Sequence, residues 1–505
     1  MKRPAPPLVL LILAALFVLL AASTGGDTHQ PSFSRSRWIA EQKLWGARFS
    51  GAVLPPGGER LPGFDVLATT APPAKAAARH VRLSQDILEG GTAQPETQTE
   101  PYLAINPERE SHLLAAYQER RFEGGGALAL AYAVSFNAGK TWSEGLLPGL
   151  SATAGGRFER VSDPWVAFGP GGRAYYVSLA FNEGSPENGI FVSASHDGGL
   201  SWGPPVPVRT DTADFNDKEA LTVDTRADSP FKGRVYVTWD TVTSDQRQPL
   251  RFAFSDDEGA SFHPAITVYD AGGNIGAFPV VGPAGVVHLV WINYSFNGSR
   301  LPVLLTAKST DGGVSWSAPV EISVCRAFGV IGQRTGGNLP SAAIDPRTGD
   351  FYVVWQDHRF SPGVDQVVLS RSTDGGETWS EPKIVSDGPL NAANFTPAVA
   401  VNGKGVVGVA YYSLRNDPAR SVLVDEYLAI SRNRGQKFAR SLRVSAASWD
   451  VRFAAFSRGF FLGDYQGLAA GRQTFHPLWI ATFDSSRRDS SARQPDAFSR
   501  AMKVK

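Results

Sequence analysis

The dipeptide Asp464-Tyr465 sets a carboxyl beside a phenol at the entry to an apolar run. A phenol attacks an electrophilic carbon only when a nearby carboxylate takes its proton, and Glu219 or Asp464 could serve. Similar polar groups stand before other apolar runs, at Glu100, Asp163 and Asp217-Lys218-Glu219. More follow such runs, at Arg120, Glu183, Asp240, Asp357-His358-Arg359 and Arg415-Asn416-Asp417. Paired carboxylates act as acid and base in glycoside cleavage. Arginine forks hold a carboxylate through two parallel hydrogen bonds. These types together suit an acidic sugar. The candidate set is Tyr465, Asp464 and Glu219 for catalysis, with Arg120, Asp163, Asp240, Asp357, Arg359, Arg415 and Asp417 for binding. The spacings at 357–359 and 415–417 suit equally well an Arg–Asp pair that pins a loop.

Such residues need a scaffold, and the chain supplies one by repetition. The pattern Ser-x-Asp-x-Gly-x-x-Trp starts at Ser135, Ser195, Ser255, Ser309, Ser372 and Ser431, at steps of 54 to 63 residues. The copies beginning at Ser195, Ser309 and Ser372 are strict. Elsewhere Asn137 and Asn433 replace the Asp, and Phe262 and Phe438 replace the Trp. Each exchange keeps its physical role: Asp or Asn hydrogen-bonds the backbone ahead of it, and Gly takes a positive φ without steric cost.

Two apolar runs of strand length precede each octapeptide. The first runs include 101–105, 164–168, 219–223, 340–344 and 397–401, and the second runs end in Tyr117, Tyr176, Trp239, Trp291, Trp355 and Tyr412. Each octapeptide then joins a third run to a fourth. Four antiparallel strands per repeat of this length predict a propeller blade. The C-terminal runs 465–470, 477–483 and 498–504 begin a seventh unit whose fourth strand is missing. His80-Val81-Arg82-Leu83-Ser84 resembles Arg443-Val444-Ser445 and can supply it. The expected fold is therefore an all-β, seven-bladed propeller whose last blade is completed by an N-terminal strand, which hides a sheet edge. Six blades, one for each octapeptide, is the alternative.

Topology then divides the molecule. The octapeptides, joining third to fourth strands, occupy one face. The second-to-third loops and the first-strand entries occupy the other, where all the candidate residues fall. Loops above a rigid scaffold are where function concentrates.

The octapeptides resemble the Asp-box, or bacterial neuraminidase repeat, of sialidases, and the resemblance covers residues 79–504. The segment 461–468, followed by Phe475-His476-Pro477-Leu478-Trp479, is similar to the last blade of exo-α-sialidase-like proteins. The resemblance implies an arginine triad for the sugar carboxylate, an Asp acid/base and a Tyr/Glu nucleophile pair. The family's Arg-Ile-Pro motif ahead of the first box is absent, and Arg120 and Arg121 are the nearest upstream arginines. The family generally has six blades. The function expected is that of a sialidase-like glycoside hydrolase acting on terminal or acidic sugars. The alternative is a non-catalytic propeller binding glycan or protein on the same face.

Composition limits the partners. With 49 Lys+Arg against 48 Asp+Glu, the chain lacks the basic face of a nucleic-acid binder. A single cysteine, Cys325, rules out an internal disulfide and a cysteine metal cluster. No spacing suggests another metal site, and no cofactor is expected. Lys2 and Arg3, the apolar run from Leu8 to Ala22 and the small residues Ala21, Ala22 and Ser23 read as a signal peptide over 1–23. Secretion or a periplasmic location follows, with membrane attachment only if that segment is left uncleaved. Residues 24–78 are irregular, with a possible short amphipathic helix between Ser36 and Ser50. The repeat domain spans 79–505, and the chain is expected to work as a monomer on carbohydrate.

Overall fold

The computed structural model describes residues 80–337, 339–419, 421–483 and 494–504. The expected signal segment 1–23, the irregular stretch 24–78 and its possible helix lie outside the described residues.

The described chain is all-β, in antiparallel four-stranded sheets of the kind that build a propeller. One sheet runs through Phe215–Val223, Val235–Val242, Leu250–Ser255 and Ile266–Tyr269, paired in that order. The next repeats the pattern with Asn274–Val281, Val287–Asn293, Val303–Ser309 and Val320–Val324. Second strands such as Val287–Asn293 and Phe351–Asp357 are buried at every position. Their β-branched and aromatic side chains fit a pleated surface covered on both sides. Two of the fourth strands are the reverse: Lys383–Ile384 and Leu442–Arg443 are two residues long and exposed. Short, charged edges of this kind resist pairing with other chains.

The first strands pack on one another in chain order, and Gly467–Ala470 packs back against Gln98–Ile105. The C-terminal sheet holds Gly467–Ala470, Thr474–Ala481 and Asp496–Ser499, and its outer position is filled by Val81–Arg82 from the other end of the chain. There Leu83 N donates to Ala497 O at 2.8 Å, and the Ser84 hydroxyl donates to Asp496 Oδ1 at 3.0 Å.

The octapeptides fold as side-chain-locked turns. In the copy at Ser309, the hydroxyl donates to Asp311 Oδ1 (2.8 Å) and accepts from Gly313 N (2.7 Å). Asp311 Oδ1 also accepts from Val314 N and Ser315 N at 3.1 and 2.9 Å. Gly312 sits at φ +72°, the left-handed conformation that glycine adopts cheaply. Asn137 and Asn433 accept from Thr141 N and Lys437 N in the same way.

A second recurrent feature positions the site. Register shifts interrupt the first strands at Thr99/Tyr102, Ser162/Trp165, Asp217/Ala220, Ile275/Phe278 and Phe395/Ala398. Each interruption carries a residue at positive φ: Glu100 (53°), Asp163 (50°), Lys218 (53°), Gly276 (66°) and Thr396 (46°). These are β-bulges, which bend a strand and re-aim a side chain. Four of the five residues are not glycine, and each such residue costs roughly 1–3 kcal/mol of backbone strain. One further sheet lies apart from the repeat. Gln333–Arg334 pairs in parallel with Phe460–Phe461, which pairs antiparallel with Ala455–Phe456.

Candidate functional site

Three bulge residues from the successive strands Gln98–Ile105, Arg160–Phe168 and Phe215–Val223 meet Asp464 in one buried cluster. The Lys218 ammonium lies 2.6 Å from Asp163 Oδ1, 2.7 Å from Asp464 Oδ2 and 3.4 Å from Glu100 Oε1. Arg334 grips Asp464 with a fork, Nε to Oδ1 at 3.1 Å and the terminal nitrogen to Oδ2 at 2.5 Å. Arg121 reaches Glu100 Oε2 at 3.5 Å and Gln118 Oε1 at 2.6 Å. Gln118 in turn donates to Glu100 and, at 2.9 Å, to Ser162. The Ser162 hydroxyl donates to Asp163 Oδ2 at 2.7 Å. Arg121 and Arg334 both stack on Phe461, 4.4 and 4.5 Å from the ring centre, a cation–π contact that holds the two like charges near each other.

Close backbone approach makes this possible. A Cβ on Gly463 would lie 2.9 Å from the Glu100 backbone, and one on Gly336 would lie 2.3 Å from Asp464 O. Glu100 N donates to Leu462 O at 3.1 Å, so the strand entry of one sheet and the loop before another are tied together.

The environments push the carboxyls apart. Burial and the charge of Asp163 raise Glu100 from its ordinary value, and Lys218 and Arg121 offset this only in part. Burial would raise Asp163 as well, but Lys218 and Ser162 outweigh it and hold it low. Asp464 lies well below the usual range, since Arg334 and Lys218 overcome its burial. Divergent carboxyls in one site supply both an acid and a base.

Two cavities border the cluster. One, of about 30 Å³, is lined by Glu100, Arg121, Asp163, Asp217, Arg334 and Arg458 among others. Arg458 sits at φ +60° and keeps solvent exposure. The other, of about 40 Å³, is lined by Trp165, Glu219, Phe278, Pro397, Asp464, Tyr465 and Gln466 among others.

The sequence-derived candidates separate accordingly. Asp163 and Asp464 enter the charged cluster. Tyr465 lines the cavity of about 40 Å³ instead. Its hydroxyl donates to Pro164 O at 3.1 Å, and burial and the nearby Glu100 hold the phenol well above its ordinary value. Glu219 lines the same cavity. Burial and Asp163 keep it protonated well above the carboxyl range, and neither side-chain oxygen has a hydrogen-bonding partner.

Arg120 does not reach the cleft. A positive φ of 59° turns it so that its guanidinium donates to Leu88 O at 3.0 Å, and Arg121 enters in its place. Asp240 is buried against Gln248 (2.7 Å) and is raised by burial and Asp217. Arg359 forks onto Asp357 at 2.9 and 2.8 Å, and Asp357 also accepts from Trp355 and Arg326 N. Arg415 pairs with Asp387 at 3.0 Å and stacks 3.7 Å from the Tyr427 ring centre. Asp417 accepts from Val422 N and Leu423 N. These last four close local loops.

Arg334 and Arg458 escaped the sequence reading. Both stand in connections between sheets and shortly before glycines, in Arg334-Thr335-Gly336-Gly337 and Arg458-Gly459. Among the described residues, no group of three His, Cys, Asp or Glu side chains is placed to hold a metal ion, and no helix is long and apolar enough to cross a membrane.

No family model matches the chain. A stretch of 98 residues, 15% of this chain and 17% of the relative, is 34% identical to a sialidase of Bacteroides fragilis (strain YCH46). The match thus spans less than a fifth of that relative's length. Among solved structures the chain is similar to a Hadza microbial sialidase (TM-score 0.43, 16% identity, covering 62% of this chain and 63% of that one). It is also similar to a leech intramolecular trans-sialidase (0.46, 14%, covering 75% and 70%). A third similar structure is an α-L-arabinofuranosidase of Fusarium graminearum (0.44, 12%, covering 68% and 93%).

Proposed function

We propose that the chain is an exported, sialidase-like glycoside hydrolase acting on terminal or acidic sugars. In this reading the sheets are the seven blades of a closed propeller and the octapeptide turns are Asp-boxes. The return contact of Gly467–Ala470 on Gln98–Ile105 and the outer strand Val81–Arg82 support the closure. Residues 1–23 act as an export signal, so the working protein meets glycans outside the cytoplasm, as a monomer.

One observation carries the functional reading: Arg121, Arg334 and Arg458 line the same cleft as two carboxyls shifted in opposite directions. The arginines crowd one another, and an anionic sugar relieves that repulsion while matching their forks. Glu100, the carboxyl shifted upward, is the acid that donates to the leaving oxygen. Asp163, ionised, attacks or stabilises the sugar carbon. Lys218 lies within 3.4 Å of both, which bounds the separation of those two oxygens at about 6 Å, nearer the retaining than the inverting geometry. Asp464 anchors Arg334. Tyr465 and Glu219 form the wall behind.

The second reading is a non-catalytic glycan-binding module on the same face. Volumes of about 30 and 40 Å³ hold a few waters each, not a sugar ring, so either function requires the site to widen. A screen of chromogenic sialosides and uronides beside a glycan array separates the two readings. Turnover supports the hydrolase. Saturable binding with no turnover supports the module. Tyr465→Phe assigns the nucleophile: unchanged turnover leaves that role to Asp163, and its loss gives it to Tyr465.

A further inference from the structure

We infer that Lys218 is the positioning residue that decides which carboxyl of the cluster carries the proton, and that its side chain is the partition between the two cavities. The inference rests on the hydrolase reading for its catalytic meaning and on geometry for its substance.

Among the described residues, Lys218 alone lines both cavities. It is 8% exposed, and its ammonium is placed by a left-handed bulge at φ +53°. An ammonium is a compact point charge with three donors, and here they are shared unequally. Asp163 and Asp464 receive contacts of 2.6 and 2.7 Å, and Glu100 one of 3.4 Å. Coulomb attraction grows as distance falls, so the two nearer carboxyls are the ones held as anions. Glu100, farther from the ammonium and facing the negative Asp163, is the carboxyl left with the higher proton affinity.

The other groups facing this arrangement fit the same division. Arg334 reinforces Asp464. Arg121 faces Glu100 from 3.5 Å, with its strength divided between Glu100 and Gln118. Asp217 adjoins the ammonium and strengthens its hold on its proton. Arg458 lines the same cavity as Glu100 and Arg121. Glu219, raised well above its ordinary value by burial and Asp163, lines the other cavity, and the Tyr465 ring centre is 6.0 Å from the ammonium. Asp163 borders one cavity and Asp464 the other, so the Lys218 side chain stands between the two with a carboxylate partner on each side.

The test compares Lys218→Met and Lys218→Arg with the wild type. On a chromogenic sialoside, the acid limb of the kcat profile reports ionisation of Asp163. Loss of the ammonium moves that limb upward by about 1–3 pH units, with KM changed little, and Lys218→Arg brings it most of the way back. A limb that stays put in Lys218→Met overturns the inference. A second readout needs no substrate. Without the ammonium, buried Asp163 must ionise unpaired as pH rises, so the melting temperature of Lys218→Met falls further below wild type at pH 8 than at pH 5. A gap that is constant across this range overturns the inference even if the protein never turns over a sugar. Absence of wild-type turnover, by contrast, counts only against the hydrolase reading. Lys218→Gln replaces Lys218→Met if the latter does not fold.

Discussion

Asp496 ties the C-terminal sheet to the strand that completes it, and its titration makes that closure measurable. The carboxyl is 2% exposed. It accepts from the Ser84 hydroxyl at 3.0 Å and pairs with Arg82 at 2.6 Å. Burial raises it to about 7 from 3.8, with Arg82 offsetting only part. The sign follows from proton linkage. The folded form binds the proton more tightly than the unfolded chain, so this contribution to stability is whole below pH 3.8 and is lost as pH rises toward 7. A span of about three pH units at 1.36 kcal/mol each gives about 4 kcal/mol. Asp496→Asn removes the titration. It also removes an ion pair whose arginine is 29% exposed, worth about 0–1 kcal/mol, so the linkage dominates. Urea unfolding followed by tryptophan fluorescence at pH 4 and pH 8 measures it. The stability lost between those pH values should be smaller in Asp496→Asn by about 4 kcal/mol. An identical loss in the two proteins would refute the assignment of Asp496 as a buried, proton-bearing clasp.

Other outcomes follow from the same geometry. Arg334→Ala leaves Asp464 buried with one partner fewer and should cost about 3–5 kcal/mol, read as a lowered urea midpoint, together with loss of sugar binding. Asp311→Ala removes the acceptor for Val314 N and Ser315 N and should cost about 1 kcal/mol, as loss of a comparable cap does, with turnover unchanged because the turn lies on the far face. Glu219→Gln replaces a neutral acid with a neutral amide, so turnover at pH 6 should stay within about twofold of wild type. A hundredfold fall, about 2.7 kcal/mol in the barrier, would instead make Glu219 a working base.

The scaffold was legible because its determinants are local. Ser309, Asp311 and Gly313 carry their turn within five residues, and the alternating runs name their own strands. Even the closing strand showed itself, because Val81-Arg82-Leu83 carries the pattern of a fourth strand. The site was legible only where the repeat speaks for it. Glu100, Asp163, Lys218 and Asp464 stand at strand entries, and counting repeats places them on one face. What the repeat cannot say is which loop arginines arrive. Arg334 and Arg458 enter because Gln333–Arg334 pairs with Phe460–Phe461, a contact between distant connections with no periodic trace. The choice of Arg121 over Arg120 turns on one backbone angle. Arg359 and Arg415, attractive by type, are held by Asp357 and Asp387, the loop-pinning role their spacing equally allowed.

The cleft between Glu100, Asp163 and the three arginines is proposed to cleave an acidic sugar. The rate of release from a chromogenic sialoside by wild type and Glu100→Gln, with an aryl leaving group of high pKa that needs protonation, tests this. Wild type should release the aglycone at a measurable rate, and Glu100→Gln should fall by at least about a hundredfold, the low end for loss of a general acid. Equal rates in the two proteins would contradict it.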